Sequence, residues 1–314
     1  GAAGFIGYSL CNVLVKKNNL KVIGIDKINL KKKSIFNDRL NILKKNKNFK
    51  YKKINICNYK DLKKVFRSNH FTFVINLAAE AGVRNSIENP DNFIKTNLVG
   101  FCNILKLSKE MNIPHLIFAS SSSVYGEAKK YPTSENANTD NPISFYASTK
   151  KSNELIAYSY SKMFNMQITG LRFFTVYGPY GRPDMAIFKF FRNILNKKEI
   201  ILFSGGKHIR DFTYIEDVVE DIMSIILNKK VLLKKFNIYN IGGGSRTSVN
   251  QIVKMIEKIT KIKSKTIYDK KQNGDVHKTY CNNNKFVKEF RRKKYTSIND
   301  GLLLFFKWYK DYFN

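Results

Sequence analysis

The sequence of 314 residues predicts an α/β protein built on a doubly wound parallel sheet. The evidence is an alternation of short apolar runs, rich in β-branched residues, with longer amphipathic stretches. Apolar runs of this kind are typical of parallel strands that are buried on both faces. The predicted strands cover 21–26, 71–79, 115–121 and 168–178. The predicted helices between them lie near 60–68, 92–112 and 146–164.

A glycine-rich turn, GAAGFIGYSL, stands at the start of the sequence. Its glycines, Gly1, Gly4 and Gly7, are spaced G-x-x-G-x-x-G, and a helix-like apolar run follows them. In a nucleotide-binding βαβ unit such a loop follows a buried strand, and its backbone N–H groups approach a pyrophosphate at a helix N-terminus. We therefore expect that the first strand is missing from this sequence, which would then be a fragment of a longer chain.

Beyond residue 179 the alternation loosens, and the sequence shows neither repeats nor a low-complexity linker. We expect 1–178 to form a dinucleotide-binding domain, with 211–242 returning to it. The remainder, 179–314, is expected to be mainly a smaller substrate-binding lobe. The predicted helices of this second part are 184–195, 215–227 and 248–259.

Composition excludes several classes of protein. A hydrophobic content of 43% and an aromatic content of 13% are typical of globular domains, and no apolar run is long enough to cross a membrane. The cysteines show neither C-x-x-C spacing nor a histidine at ligand distance in the sequence, which predicts a cytoplasmic protein without a metal site. They are Cys11, Cys57, Cys102 and Cys281.

The net charge of +32 is the strongest signal for a polyanionic partner. Only ten of the 56 basic residues are arginine, however, and lysine, asparagine, isoleucine and phenylalanine are all abundant. Because A/T-rich codons favour these residue types, we attribute the excess to codon drift. We expect neither nucleic acid nor a membrane as a partner.

An acidic residue at a strand end indicates the cofactor. Asp26 ends the predicted strand 21–26, about 20 residues after the glycine loop, where dinucleotide-binding folds carry a ribose-binding carboxylate. A carboxylate at this place accepts hydrogen bonds from both ribose hydroxyls and repels a 2′-phosphate, which favours NAD over NADP. The alternative is an ordinary aspartate in a turn at the end of a strand.

A tyrosine, a lysine and a serine form the candidate catalytic group. Tyr146 and Lys150 are four residues apart in a helical pattern, so their side chains share one face. A tyrosine with an ordinary pKa of about 10 is a poor base at neutral pH, and a neighbouring ammonium group favours its phenolate. Ser121 ends the strand just upstream, at the sheet edge that faces a ligand crevice. The alternatives are a surface helix and a polar turn.

On these motifs the sequence is identified as a member of the extended short-chain dehydrogenase/reductases, in the nucleotide-sugar epimerase branch, and it most resembles the UDP-glucuronate 4-epimerases. The resemblance covers nearly the whole chain, and its most specific motif is TVYGPYGRPDMA. It implies a Rossmann fold, tightly bound NAD, a UDP-sugar substrate and a homodimer. The motifs that carry it are GAAGFIG, NLAAEAGVRNSIENP, TNLVGFCNIL, ASSSSVYG, YASTKKSNE, LRFFTVYGPYGRPDMA and RDFTYIEDVVE.

The resemblance also implies roles for individual residues. In catalysis, Tyr146 would be the base, Lys150 its electrostatic partner, and Ser121 a hydrogen-bonding partner of the reacting sugar oxygen. The residues implied to contact NAD are Gly1, Gly4, Phe5, Ile6, Gly7, Asp26, Asn55, Leu77, Ala78, Ala79, Asn97, Tyr146 and Lys150. The residues implied to bind substrate are Ser122, Ser123, Thr175, Arg182 and Arg210.

Arg182, in GRPDMA, carries the sharpest hypothesis about the substrate. Oxidation of a uronic acid at C4 produces a β-keto acid, which loses CO₂ easily unless its carboxylate is held out of line with the ketone π system. A guanidinium can hold a carboxylate through two parallel hydrogen bonds, which lysine does less well. The alternative is a solvent-facing arginine in a turn.

Two residues depart from the pattern of the family. Asn55 stands where an aspartate usually touches the adenine amino group, and its side-chain carbonyl can accept the same hydrogen bond. Glu80 stands where a glutamine is more usual, and it adds a charge near the predicted cofactor site.

The resemblance implies NAD-dependent epimerisation of UDP-glucuronate to UDP-galacturonate through a 4-keto sugar, commonly for a surface polysaccharide. A UDP-glucose 4-epimerase and a UDP-glucuronate decarboxylase remain alternatives. A 4,6-dehydratase is disfavoured because Ser122 and Ser123 stand where that class carries an Asp-Glu pair. An NAD-binding or RNA-binding relative without catalysis is supported only by the net charge.

Overall fold

The computed structural model describes residues 1–17, 20–28, 34–228, 234–270 and 274–313. The chain divides into two units, each assembled from separate segments. The predicted domain limits at 178 and 179, with 211–242 returning, stay a prediction, and 229–233 of that returning segment lie outside the described residues. The first unit contains 1–126, 139–172 and 222–239, and the second contains 127–138, 173–221 and 240–314.

Helices and strands alternate along the first half of the chain, as predicted. The elements up to the long helix are α1 (Phe5–Leu14), β1 (Val22–Asp26), α2 (Ile35–Lys44), β2 (Phe49–Lys53), α3 (Tyr59–Arg67), β3 (Val74–Asn76), α4 (Val83–Glu88), α5 (Pro90–Phe93), a π-helix (Ile94–Gly100), α6 (Phe101–Glu110), β4 (Leu116–Ser121), a 3₁₀-helix (Ser122–Tyr125) and α7 (Phe145–Phe164).

The second half has shorter strands between its helices. Its elements are β5 (Ile168–Phe173), β6 (Thr175–Tyr177), α8 (Ala186–Leu195), β7 (Glu199–Phe203), a 3₁₀-helix (Ser204–Gly206), β8 (Ile209–Arg210), β9 (Phe212–Tyr214), α9 (Ile215–Leu227), β10 (Phe236–Ile241), β11 (Thr247–Ser248), α10 (Val249–Thr260), β12 (Lys265–Asp269), α11 (Asn284–Phe290) and α12 (Ile298–Phe313).

Parallel strands form the centre of the first unit. The described strands make one sheet in the order β10-β5-β4-β3 and a second, parallel pair of β1 and β2. Every residue of β5 is buried, as expected for a strand covered on both faces. Apolar side chains of helices α3, α6 and α7 pack on these strands and form much of the core. The core residues include Leu62, Phe66, Ile104, Leu105, Leu116, Phe118, Ala157 and Ile168.

A cavity of about 170 Å³ lies in the first unit, lined mainly by apolar side chains. Residues of both β1 and β3, among them Ile23 and Val74, line it together with Leu10 and Leu14 of α1. Within the described residues β1 and β3 belong to separate sheets. The strand expected before Gly1 stays a prediction.

Two predicted strands are shorter than their apolar runs. The run 71–79 contains a strand of only three residues, Val74–Asn76, because the chain then turns: the Asn76 side chain accepts a hydrogen bond from the Ala78 N–H at 3.3 Å. The run 168–178 is two strands, β5 and β6. They separate at Phe174, whose N–H bonds the carbonyl of Ile241 at 3.0 Å.

Small pairs of strands and an aromatic cluster organise the second unit. Strands β6 and β9 are parallel, as are β7 and β12, whereas β8 and β11 are antiparallel. Phe188 and Phe191 of α8 pack on Phe305 of α12 with ring centroids 5.7 and 5.0 Å apart. Aromatic rings bury a large apolar area each, so this contact fastens α8 to α12.

Helix α7 is joined to the sheet by a buried ion pair. The Glu154 carboxylate accepts two hydrogen bonds from Arg172 of β5, each 2.8 Å long, and both side chains are 6% exposed. A further bond to Glu154 comes from the Ser120 hydroxyl at 2.6 Å, and Arg172 also donates to the Tyr125 hydroxyl at 2.9 Å. Buried charges need this degree of pairing to offset the cost of desolvation.

Among the described residues, no helix combines the length and the apolar character needed to span a bilayer. The same part of the chain shows no group of three or more histidine, cysteine, aspartate or glutamate side chains placed to hold a metal ion.

We expect Glu154→Gln to lower the free energy of unfolding by about 3–5 kcal/mol, because it leaves the Arg172 charge buried without its carboxylate. Urea unfolding followed by circular dichroism measures the change. Asp61→Asn is the matched control: it removes a carboxylate from an exposed pair with Lys64, and its effect should stay within about 1 kcal/mol. Equal effects of the two variants would contradict the role given to the buried pair.

Candidate active site

The predicted glycine loop leads directly into α1 in the first unit. Gly4 is the N-cap of α1, and no side chain caps the first turn, so its backbone N–H groups are suited to a bound anion. A Cβ atom at Gly7 would lie 2.0 Å from the Gly1 carbonyl oxygen, and a Cβ atom at Gly1 would lie 2.6 Å from the Ala78 nitrogen. Only glycine therefore permits the loop to pack this closely on itself and on the segment after β3.

Asp26 lies at the carboxyl end of β1, beside this loop. Its Oδ2 atom accepts a hydrogen bond from the Ala3 N–H at 3.0 Å. The carbonyl of the same residue, Ala3, accepts a hydrogen bond from the buried guanidinium of Arg39 at 2.9 Å. Arg39 was not among the residues predicted from the sequence, and the available signal was the rarity of arginine in this lysine-rich chain.

The loop, the helix start and the strand-end acid fit a dinucleotide. The closely packed glycines leave backbone N–H groups for a pyrophosphate, and Asp26 stands at the strand end where a ribose hydroxyl is bound in this kind of fold. The side chain of Asn55, the residue expected near the adenine, is exposed, and its Oδ1 atom accepts a hydrogen bond from the Cys57 N–H at 3.0 Å.

The segment after β3, which contains Leu77, Ala78 and Ala79, is held in place by Asn97. This buried side chain accepts a bond from the Glu80 N–H at 2.8 Å and donates to the Glu80 carbonyl at 3.1 Å. It also donates to the Thr149 hydroxyl of α7 at 3.0 Å. Asn97 was predicted beside the cofactor; in this structure its side chain ties the segment to α7.

The unusual Glu80 has a partner. Lys27, which directly follows Asp26, forms an ion pair with the Glu80 carboxylate at 2.6 Å. The charge that the sequence places near the cofactor site is therefore matched by a lysine at the end of β1.

Lys150 connects α7 to the carboxyl end of β4. Its ammonium group is buried and donates to the carbonyl of Ala119 at 2.9 Å. Burial lowers its pKa to about 8, and the Glu154 carboxylate partly opposes this effect. Tyr146 is one helical turn earlier on the same face, and its ring packs edge-on against Phe93 with centroids 6.1 Å apart.

The four serines at the end of β4 divide into distinct environments. The Ser120 hydroxyl is buried and bonds Glu154, so it belongs to the ion-pair network. The Ser121 hydroxyl accepts a bond from the Ser123 N–H at 3.1 Å and starts the 3₁₀-helix that contains Ser122 and Ser123. Ser121 lies two residues beyond Ala119, the acceptor of Lys150. The predicted catalytic residues thus belong to two adjacent elements, β4 and α7.

The other predicted substrate residues belong to the second unit. Thr175 begins β6, and the turn that carries Arg182 follows this strand in the chain. Arg182 forms a bidentate pair with Asp184. Arg210 donates to the Asp275 carboxylate at 2.7 Å and to the Val276 carbonyl at 2.7 Å. Neither Asp184 nor Asp275 was predicted from the sequence as a partner of these arginines. The available signal was that each aspartate follows a glycine or a proline, as is common in turns.

Comparison with known proteins gives consistent matches. The model of the NAD dependent epimerase/dehydratase family matches residues 1–242. Protein CapI of Staphylococcus aureus is 44% identical over 328 aligned positions, which cover 100% of this chain and 98% of that protein.

Solved structures are similar over the same length. The UDP-glucuronic acid 4-epimerase of Bacillus cereus, in complex with UDP-glucuronic acid and NAD, has a TM-score of 0.93 at 32% identity, covering 100% of this chain and 98% of that one. The UDP-glucose 4-epimerase of Thermotoga maritima with UDP-glucose has a TM-score of 0.89 at 28% identity and the same coverage. The match to the family model and the identity over the full chain show that this protein belongs to the NAD-dependent epimerase/dehydratase family, as an isomerase that uses NAD.

Proposed function

We propose that this protein interconverts UDP-glucuronate and UDP-galacturonate by epimerisation at C4 of the sugar. The observation that carries the proposal is the buried Lys150 ammonium, bonded to Ala119 near Ser121 and one helical turn from Tyr146. This arrangement supplies a base whose phenolate is favoured by a neighbouring cation. The similarity to the Bacillus cereus epimerase supports the choice of substrate.

In the proposed reaction, Tyr146 takes the proton of the 4′-hydroxyl, and Ser121 hydrogen bonds the same oxygen. NAD, when bound, would supply the acceptor for the C4 hydride and the donor that returns it to the opposite face of the sugar. Tyr146 then gives the proton back to the C4 oxygen, so no net oxidation occurs. The residues that would hold NAD are the glycine loop, Asp26 and the segment held by Asn97.

Arg182 is proposed to bind the sugar carboxylate through its planar fork. When the carboxylate is held in this way, its bond to C5 does not align with the π system of the C4 ketone, and the 4-keto intermediate is not decarboxylated. Thr175 and Arg210 are proposed to bind the diphosphate of the substrate, and Ser122 and Ser123 to face the sugar. These assignments rest on the resemblance to the uronate epimerases.

UDP-glucose epimerisation is the second candidate, supported by the similarity to the Thermotoga maritima enzyme. A decarboxylase would convert UDP-glucuronate to a UDP-pentose. Incubation of the protein with UDP-glucuronate and, separately, with UDP-glucose distinguishes these activities, because chromatography separates UDP-galacturonate, UDP-xylose and UDP-galactose. We expect UDP-galacturonate. RNA binding that weakens steeply with salt, without turnover of either sugar, would instead favour a non-enzymatic relative.

A homodimer is proposed from exposed apolar side chains on α7 and the π-helix. Leu155 is 57% exposed and Met163 62% exposed on α7, and Ile94 and Val99 are exposed on the π-helix. Exposed apolar side chains grouped on one surface commonly mark an interface between proteins.

We expect the wild-type protein to elute as a dimer in size-exclusion chromatography with light scattering, and Leu155→Glu to shift it to a monomer. A charge at this position would lose its hydration at the interface. Leu227→Glu is the control, since Leu227 is similarly exposed, at 61%, on α9. A monomeric wild-type protein would refute the proposed dimer and leave the proposed reaction untouched.

We expect Tyr146→Phe to lower kcat with UDP-glucuronate by about a thousandfold, because the phenyl ring cannot exchange a proton with the 4′-oxygen. The content of bound NAD should stay unchanged. Tyr268→Phe, at a well-exposed tyrosine of the second unit, is the control and should keep full activity. Comparable rates for Tyr146→Phe and the wild-type protein would exclude Tyr146 as the base.

We expect Arg182→Leu to lower kcat/KM for UDP-glucuronate by about a hundredfold, because the substrate carboxylate loses its bidentate partner. The residual product should include a decarboxylated UDP-pentose. Turnover of UDP-glucose, if present, should change little, since that sugar has no carboxylate. An unchanged rate and an unchanged product would remove Arg182 from the substrate site.

A further inference from the structure

The turn that carries Arg182 is braced within the second unit. The Met185 N–H donates to the Arg182 carbonyl at 3.1 Å, and Pro183 occupies the second position of this four-residue turn, where its fixed φ is favourable. Immediately before the turn, the ring of Tyr180 packs on Trp308 with centroids 5.0 Å apart. The backbone of Arg182 is therefore held from both sides.

Asp184, the third residue of the turn, holds the Arg182 side chain. The guanidinium donates from Nε to Oδ1 at 3.0 Å and from Nη2 to Oδ2 at 2.5 Å. Two parallel hydrogen bonds between a planar guanidinium and a planar carboxylate place both groups in one plane. Asp184 binds the edge of the guanidinium that contains Nε. The other edge, formed by Nη1 and Nη2, therefore points away from Asp184 in a defined direction.

The pair persists at neutral pH. Burial opposes the ionisation of Asp184, but the hydrogen bond and the charge of Arg182 outweigh this effect and keep the pKa of the carboxyl below its ordinary value. Arginine stays protonated under all ordinary conditions. The orientation of the guanidinium is thus set before any substrate is bound.

We propose that Asp184 is a positioning residue that sets the plane in which Arg182 holds the substrate carboxylate, and thereby limits the loss of CO₂ from the 4-keto intermediate. This inference rests on the proposed function. In the side reaction the bond between C5 and the carboxylate carbon breaks, and CO₂ leaves. The electron pair of that bond passes to the C4 ketone as an enolate, and C5 then takes a proton from water to give a UDP-4-keto-pentose.

This bond breaks readily only when it lies perpendicular to the plane of the ketone, so that its electrons can enter the C4 π system. An arginine with a fixed plane holds the carboxylate away from that alignment. Without Asp184, the Arg182 side chain can rotate about its own bonds on the braced turn and bind the same carboxylate in several planes, and some of these planes permit the loss of CO₂.

Asp184→Asn tests the inference, because it keeps the size of the side chain and removes the second charge-assisted hydrogen bond. Incubation with UDP-glucuronate, followed by chromatography and mass spectrometry, gives the ratio of UDP-pentose products to UDP-galacturonate. We expect this ratio to rise about tenfold. Asp269→Asn is the matched control: its exposed carboxylate accepts a bond from the adjacent Lys270 N–H, and its loss should leave the ratio unchanged.

A double-mutant cycle separates positioning from a general effect on the turn. If Asp184 acts through Arg182, adding Asp184→Asn to Arg182→Leu should not raise the product ratio further. Independent, additive effects would overturn the inference. A lower KM for Asp184→Asn with an unchanged product ratio would also overturn it, since it would make Asp184 a competitor of the substrate carboxylate.

These outcomes are distinguishable from failure of the proposed function. If wild-type protein loaded with NAD converts no UDP-glucuronate, the proposed function fails. If the wild-type protein epimerises UDP-glucuronate and Arg182→Leu impairs it, while Asp184→Asn behaves as wild type, only the role of Asp184 is refuted. Thermal unfolding of each variant detects a loss of folding, and a misfolded Asp184→Asn is replaced by Asp184→Ser, with the same expected ratio.

Discussion

The ion pair between Glu154 and Arg172 is the contact on which the elements that carry the proposed catalytic residues depend. It joins α7 to β5 in the interior of the first unit, and it also bonds Ser120 of β4 and Tyr125 of the 3₁₀-helix that follows β4. One turn before Glu154, the Lys150 ammonium group donates to the carbonyl of Ala119 on β4. Because these bonds are buried, α7 has little freedom to slide along the sheet, and Tyr146 keeps its register with the end of β4.

The segment after β3, which is proposed to contact the cofactor, is also held by shared buried hydrogen bonds. The Asn97 side chain accepts a bond from the Glu80 N–H through its amide oxygen, and its amide nitrogen donates both to the Glu80 carbonyl and to the Thr149 hydroxyl of α7. The segment after β3 is therefore tied to the same helix that carries Tyr146 and Lys150, the proposed catalytic residues. Arg39 and Asp26 hold the glycine loop through the backbone of Ala3. The residues proposed to contact NAD and those proposed for catalysis thus share supports within one unit.

Arginine and lysine are used differently in this chain. Arginine is rare, yet among the described residues it pairs with carboxylates at four places: Arg172 with Glu154, Arg182 with Asp184, Arg210 with Asp275, and Arg292 with Asp217, Glu220 and Asp221. A planar guanidinium can make two directed bonds and can be oriented by one of them, which an ammonium group cannot. The abundant lysines raise the net charge without entering most of these networks.

The sequence alone determined the α/β class and the cofactor, because apolar periodicity and the glycine, strand-end acid and Tyr-x-x-x-Lys signals are local in the chain. The family followed from a resemblance, carried by motifs such as TVYGPYGRPDMA. The predicted length of β3 was too great. An apolar run does not show that the Asn76 and Asn97 side chains bond the backbone at Ala78 and Glu80, where the chain leaves the sheet. The partners of Glu80, Ser120, Arg182 and Arg210 were decided only by the tertiary structure. Each is a polar contact whose energy depends on burial and on a second residue brought close by folding, and neither is encoded in the spacing of residues.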